Sequence, residues 1–467
     1  MFRHPRAVLP ADVPPVREGL LLTVVAIGAV LAPLNSTMIA VALPSIATDL
    51  GTGVAATGWL ITAYLIAMAS LQPVAGRLGD RLGRRRLILG GLLGFGLTSL
   101  GATIAPNLPV LILMRIGQAA SGAVLLPNGD ALLREIVPDE RRAGRFGMIG
   151  SAIGLAAALG PPLGGVLVGT AGWRAMFAVN LLLVGPALVL GWRCIPRRGA
   201  APTSAGPRAT FDWLGALLLS VSLVGLALLL SRGAGAPISI VAGALIALTV
   251  VLAFFARYEL RHPEPVLQPR FFTRPSFAAA TGGVGLSNLA MYTVLLVMPP
   301  LWAGAGRPGV EIGSLLGIMA AAMVVAAPIG GRLADRAGRR WPTVGGLAAL
   351  TLGACQIAVA GPSEPGRTAL GLIVLGGGLG LATPGLQASA LEAVEQKDAG
   401  AAAGAYATSR YLGSIVGSAL LAGFAAPTFV DEGIAPVFAV IIGAAIMATL
   451  LALALPHRRL ATPVRRS

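Results

Sequence analysis

Arg115 and Gln118 stand three residues apart inside an otherwise apolar run, Leu111 to Asp130. Residues at this spacing share one helix face, and Gly122, Leu126 and Gly129 continue it. Arg115 lies roughly 9 Å from the middle of its run at 1.5 Å per residue. An arginine at that depth is costly unless it faces water or a partner, so it is a functional candidate, with capping of backbone carbonyls as the structural alternative. Asp130, in the sequence PNGD, is the one acidic group inside an apolar run that could carry a proton. Two readings of it stand: a proton site, or a residue left in water by a broken helix. Asn35 offers hydrogen bonds but cannot take up a proton. Met38, Trp59, Tyr64, Asn288, Tyr292 and Gln387 complete a candidate substrate lining. Trp59 reads equally well as an interfacial anchor, and Tyr64 as a packing residue. The three histidines lie in tails or loops, and no nucleophile–base set, paired carboxylates or metal cluster occurs at membrane depth. An enzyme is therefore not expected, and neither is a metal or a cofactor.

The elements that hold these residues are membrane helices. Hydrophobic residues make up 55% of the 467-residue chain and charged residues 12%, well under the roughly 25% of soluble domains. Fourteen apolar runs reach the length of a membrane span. The net charge of +16 would fit nucleic acid, but its placement excludes that reading. With both termini cytoplasmic, 29 of the 35 Lys and Arg residues fall in inner segments and four in outer loops, as the positive-inside rule requires. The only lysine, Lys397, has no phosphate-binding loop around it, and GGGLG at 376–380 lacks the strand–turn–helix setting of a dinucleotide site. Direct use of ATP is excluded.

A basic turn occurs twice, as GRLGDRLGRRR from Gly76 and as GRLADRAGRR from Gly331, 255 residues apart. Such a repeat predicts a duplicated half. In each half the turn follows the second span of a six-span unit. The expected plan is a tail at 1–18, a six-helix bundle at 19–196, a linker with two inserted helices at 197–275, a second six-helix bundle at 276–456 and a tail at 457–467. Glu135, near the inner end of the fourth span, is the carboxylate to pair with the first arginine cluster. Pro161 and Pro162, following Gly160, lack backbone donors and should kink the fifth span.

These residues resemble the major facilitator superfamily, and within it the fourteen-span drug:proton antiporter branch. The resemblance runs from about residue 20 to 455. It rests on the repeated turn, on RIGQAASGA (Arg115 to Ala123), with Ala119 where a glycine is usual, and on GLAAALGPPLGG (Gly154 to Gly165). NSTMIAVALPSI from Asn35, GWRAMFAVN from Gly172 and DWLGALLL from Asp212 add to it. It implies an all-helical, multi-pass protein of the bacterial inner membrane, expected as a monomer, that exports small, largely apolar organic compounds by alternating access with proton entry. It implies that Gly76, Asp80 and Arg84 latch the halves in the outward-open state. Gly331, Asp335, Arg336 and Gly338 should serve the other half. Asn35 departs from the branch, which commonly has an aspartate there. A uniporter or importer of a metabolite or organic anion, with Arg115 as the anion's partner, is the first rival reading. A non-transporting membrane sensor or scaffold is the second.

Overall fold

The computed structural model describes residues 15–137, 139–196, 212–232, 236–262, 265–360, 364–395, 398–424 and 435–457. Among these residues there are fourteen helices of 18 residues or more. The backbone must satisfy its own hydrogen bonds in lipid, which is why unbroken apolar runs become helices. The first half contains α1 (Pro15–Asp49), the one-turn α2 (Val54–Thr57), α3 (Trp59–Leu82), α4 (Arg84–Thr103), α5 (Leu108–Ile136), α6 (Asp139–Ala171) and α7 (Arg174–Cys194). Then follow α8 (Trp213–Arg232) and α9 (Ile238–Glu259). The last half contains α10 (Pro275–Gly304), α11 (Gly309–Ala337), α12 (Arg340–Ala360), α13 (Pro365–Glu392), α14 (Ala399–Phe424) and α15 (Ala435–Ala452). Thirteen of the long helices meet a strict hydropathy criterion for crossing a membrane. The other, α14, carries Ser, Thr, Tyr and Arg410 along its length.

Packing follows the halves. In the first, α1 packs on α5, α6 and α7, while α4 packs on α5 and α7. In the last, α10 packs on α13, α14 and α15, while α13 packs on α11 and α12. Across the halves the main contacts are α6 with α11 and α3 with α14. The α8 helix lies against α3 and α14, and α9 packs chiefly on α8.

Both basic turns have the same backbone. Gly83 and Gly338 sit between consecutive helices at φ of 89° and 87°, a left-handed conformation that any side chain would strain. The end of the molecule bearing these turns is called the turn end below. The inserted pair is held there by two buried carboxyls. Asp212 caps α8 by accepting from the Gly215 N–H at 2.7 Å, and Glu259 accepts from the Leu267 N–H at 2.9 Å.

Candidate functional site

The structure closes a polar network inside the first half. Arg115 on α5 is completely buried. Its guanidinium donates to Asn35 Oδ1 on α1, to Gln118 Oε1 at 2.9 Å and to the Leu60 carbonyl of α3 at 3.3 Å. It also stacks 4.1 Å from the centre of the Tyr64 ring. Gln118 passes the network on by donating to Ser99 Oγ of α4 at 2.8 Å, which Asn180 of α7 reaches at 3.3 Å. One arginine thus ties α1, α3, α4, α5 and α7 together. The sequence reading made this helix face a cavity lining. Instead, Asn35 and Tyr64 cover it in this conformation, because the guanidinium finds acceptors within the bundle.

A second cluster faces it from the last half. From its apolar run alone, Arg410 of α14 reads as lying nearer the cytoplasmic end of its span, where it could snorkel to the interface. The helix begins at Ala399, earlier than its apolar stretch, and this places Arg410 about 17 Å along a 26-residue helix. Its guanidinium lies 5.1 Å from the Tyr411 ring centre, with Tyr406 and Tyr292 close enough to interact with its charge. The Tyr292 hydroxyl is within hydrogen-bonding reach of Ser36 on α1 and Ser414 on α14. Tyr64 belongs to both clusters, with Arg115 on one side and Tyr292 and Tyr411 on the other. Arg410 is exposed in the middle of its helix, on the helix that packs against α3 of the first half.

The other candidate residues are scattered. Met38 is buried in the core, with its backbone against α6 at Gly164. Trp59 is half-buried and Gln387 exposed, and Asn288 donates to the Val284 carbonyl of its own helix at 3.0 Å. Asp130 is half-buried on a helix that continues through Pro127 to Ile136. The reading in which PNGD breaks the helix is thereby corrected. The α5 N–H groups after Pro127 keep their turn, and Asn128 donates to the Val124 carbonyl at 2.7 Å.

At the turns, the backbones of Gly76, Asp80 and Glu135 are helical, while their side chains lie outside the described residues. Arg84 opens α4 and is half-buried. In the second copy Arg336 is exposed. The residue that locks this turn is Arg339, which the sequence reading passed over. It donates to Asp335 at 2.9 Å and to Glu392 of α13 at 2.6 Å, and the Glu392 bond raises its already high pKa further. The signal was available, since Arg339 lies 255 residues after Arg84, the same offset as the turns themselves. Gly331 begins the same segment on α11.

The halves meet at the end opposite the turns. A side chain on Gly165 would come within 2.4 Å of the Gly309 carbonyl oxygen, and one on Gly313 within 2.3 Å of the Pro161 carbonyl oxygen. Gly160 takes Thr37 of α1 in the same way. Thr62 of α3 and Ser418 of α14 share a hydrogen bond at 2.8 Å there. Asp49 at the end of α1 accepts from Trp173 Nε1 at 3.1 Å and from Arg174 at 2.5 Å, which gives the Gly172–Asn180 stretch a structural role.

Two half-molecules with facing polar centres, sealed at one end, have the layout of a transporter. The profile of the family described as Major Facilitator Superfamily matches residues 25–418 and, in a second alignment, 280–466. The chain belongs to the major facilitator superfamily. An uncharacterized transporter of this type from Bacillus subtilis, YvkA, is 34% identical, covering 87% of this chain and 90% of its own. The multidrug resistance protein B homolog of Mycobacterium tuberculosis strain H37Rv is 30% identical, covering 86% and 76%. A crystal structure of a peptide transporter superposes with a TM-score of 0.69 over 94% of each chain, at 17% identity. That likeness is one of fold. The chain is accordingly a multi-pass membrane transporter of the multidrug-efflux type.

Proposed function

We propose that this transporter exports small, largely apolar organic compounds from a bacterial cell across the inner membrane by alternating access, as a monomer. The moving parts are the bundles at 19–196 and 276–456, with 197–275 as an insertion and both termini in the cytoplasm. Contact between the halves at the far end, with Arg410 exposed in the middle of α14, is the observation that carries this reading. It corresponds to an inward-facing state in which substrate enters from the turn end. The glycine and proline backbones at Pro161 and Gly165 of α6 and at Gly309 and Gly313 of α11 let these two helices close without intervening side chains. The basic turns act in the opposite state as latches, with Arg339 and Glu392 as the working pair of the last half. The relative named for multidrug resistance supports the export direction.

Proton entry is the proposed driving reaction, with Asp130 as the group that takes up the proton. Substrate-stimulated proton flux in proteoliposomes, measured across a panel of compounds, tests the whole reading. Asp130→Asn should reduce pH-gradient-driven efflux by at least about tenfold, a change of about 1.4 kcal/mol in the barrier. Intact gradient-driven efflux in this variant would remove Asp130 from the mechanism. One observation favours a second reading, uniport without proton coupling: Asn35, on the Arg115 guanidinium, has no proton to exchange. An imposed proton gradient that fails to drive uptake into inverted vesicles would select it.

A further inference from the structure

Arg115 and Arg410 differ from the other arginines for which the structure gives an ion pair. Arg145 meets Glu18, Arg174 meets Asp49, Arg307 meets Glu311, Arg339 meets Asp335 and Glu392, and Arg367 meets Glu364. All of these lie near helix ends. The two guanidiniums deepest in the membrane have no carboxylate partner among the described residues. Arg115 is met by amide and carbonyl oxygens and a tyrosine ring. Arg410 is met by Tyr292, Tyr406 and Tyr411. A charge at this depth without a counter-ion is expensive, and such residues mark ligand pathways.

Several donors in these clusters have no acceptor, and one acceptor, Asn180 Oδ1, is also unfilled. Arg115 Nη2, Asn35 Nδ2 and the hydroxyls of Tyr64, Tyr406 and Thr408 are all buried with no hydrogen-bond partner. The first two are donors only, and the hydroxyls have protons to give. Tyr64 and Arg115 are themselves buried, so the surface open to a ligand is that of Arg410 with the half-buried Tyr292 and Tyr411. Aromatic rings of this kind accept a planar molecule face-on or edge-on. The chemistry missing from this surface is a flat apolar body with a delocalised negative charge.

We infer that the transported substrates are aromatic organic anions, carboxylates or phenolates, whose charged group is held by Arg410 and whose ring lies beside Tyr292 and Tyr411. This rests on the export reading above and narrows it. Arg410 takes the anion first, being the accessible guanidinium, and Arg115 keeps the facing wall positive. A lipophilic cation meets like charge from both sides and is refused. Anion export also suits the absence of an acid at Asn35. A departing negative charge is driven outward by a membrane potential that is negative inside.

Three fluorescent probes with one ring system separate the possibilities: anthracene carboxylate, its methyl ester and aminomethylanthracene. Binding to the purified, full-length protein is read by fluorescence quenching, and transport by accumulation in inverted vesicles. The carboxylate should bind at least tenfold more tightly than the ester, with the ammonium compound weakest, as charge-assisted hydrogen bonding requires. In Arg410→Gln the carboxylate-to-ester ratio should fall close to one, and Arg410→Lys should restore part of it. Size-exclusion profiles matching the parent protein establish that the variants are folded. Ester or ammonium binding as tight as the carboxylate overturns the inference, and so does a ratio unchanged in Arg410→Gln. Carboxylate-selective binding without accumulation would sustain the inference and sink the export reading. Accumulation of all three probes alike would do the reverse.

Discussion

The two halves place bulk differently at one helix crossing. In the first, Asn128 of α5 reaches toward α3, donating to the Ala75 carbonyl at 3.0 Å. A Cβ on Gly79 would fall 1.6 Å from its Oδ1. In the last half the residue at the same step after a helix proline is Gly385, and Ala334 stands where Gly79 stood. There α13 presents a hole, which Thr343 fills: a Cβ on Gly385 would lie 2.0 Å from Thr343 Oγ1. One half uses a side chain as a knob where the other accepts one. The repeat therefore preserves the glycine turn, while the contacts beneath have diverged. The central clusters show the same asymmetry. Arg115 is sealed by partners within its own half, and Arg410 remains open.

The largest effect on this comparison should come from Gly79→Ala. The new methyl group displaces Asn128, and overpacking of this kind costs about 1–3 kcal/mol. Thermal unfolding of the purified protein should show the loss, and adding Asn128→Ala should recover most of it. No recovery would mean that the knob is not what Gly79 accommodates. Ala334→Gly, the reciprocal change, should cost no more than about 1 kcal/mol. Next in size is the arginine of the second turn. Arg339→Leu removes two charged hydrogen bonds and should cost about 2 kcal/mol, whereas exposed Arg336→Leu should stay within about 0.5 kcal/mol. Equal effects would restore Arg336 to the role the sequence reading gave it. A loss smaller than that of Arg339→Leu is expected at the turn glycines. Gly83→Ala and Gly338→Ala should each cost about 1 kcal/mol for the left-handed φ. A marked difference between the two would show that the turns are not mechanically equivalent.

The run of long apolar helices and the repeated turn were legible in the sequence because each is a property of local composition or spacing. The partners of Arg115 were only partly legible. Gln118 shares its helix face, and Asn35 and Tyr64 were candidates on other grounds. Ser99 and Asn180 look like ordinary small or polar residues in apolar runs, and only the packing of α4 and α7 on α5 brings them together. Arg410 was misplaced for a physical reason. Its helix opens with AGAAAGAYATSR, weakly hydropathic alanine and glycine that a span search trims, so a central residue looked terminal. The Arg339–Glu392 pair escaped in the opposite way, since the two residues are 53 apart and nothing local links them.

The inserted helix α9 has a consequence of its own. Only 6% of its apolar window is buried, and Phe255 and Glu259 alone are buried along it, so lipid solvates nearly its whole circumference. Its 22 residues measure about 33 Å against a hydrocarbon core of about 30 Å. It is in effect a ruler standing in the bilayer beside the moving parts. Its foot is tied down: Glu259 holds the Leu267 amide, and a Cβ on Gly215 would meet Glu259 Oε1 and Asp212 Oδ2 within 2.3 Å. A thinner membrane would tilt this helix and pull, through that foot, on the segment leading into α10.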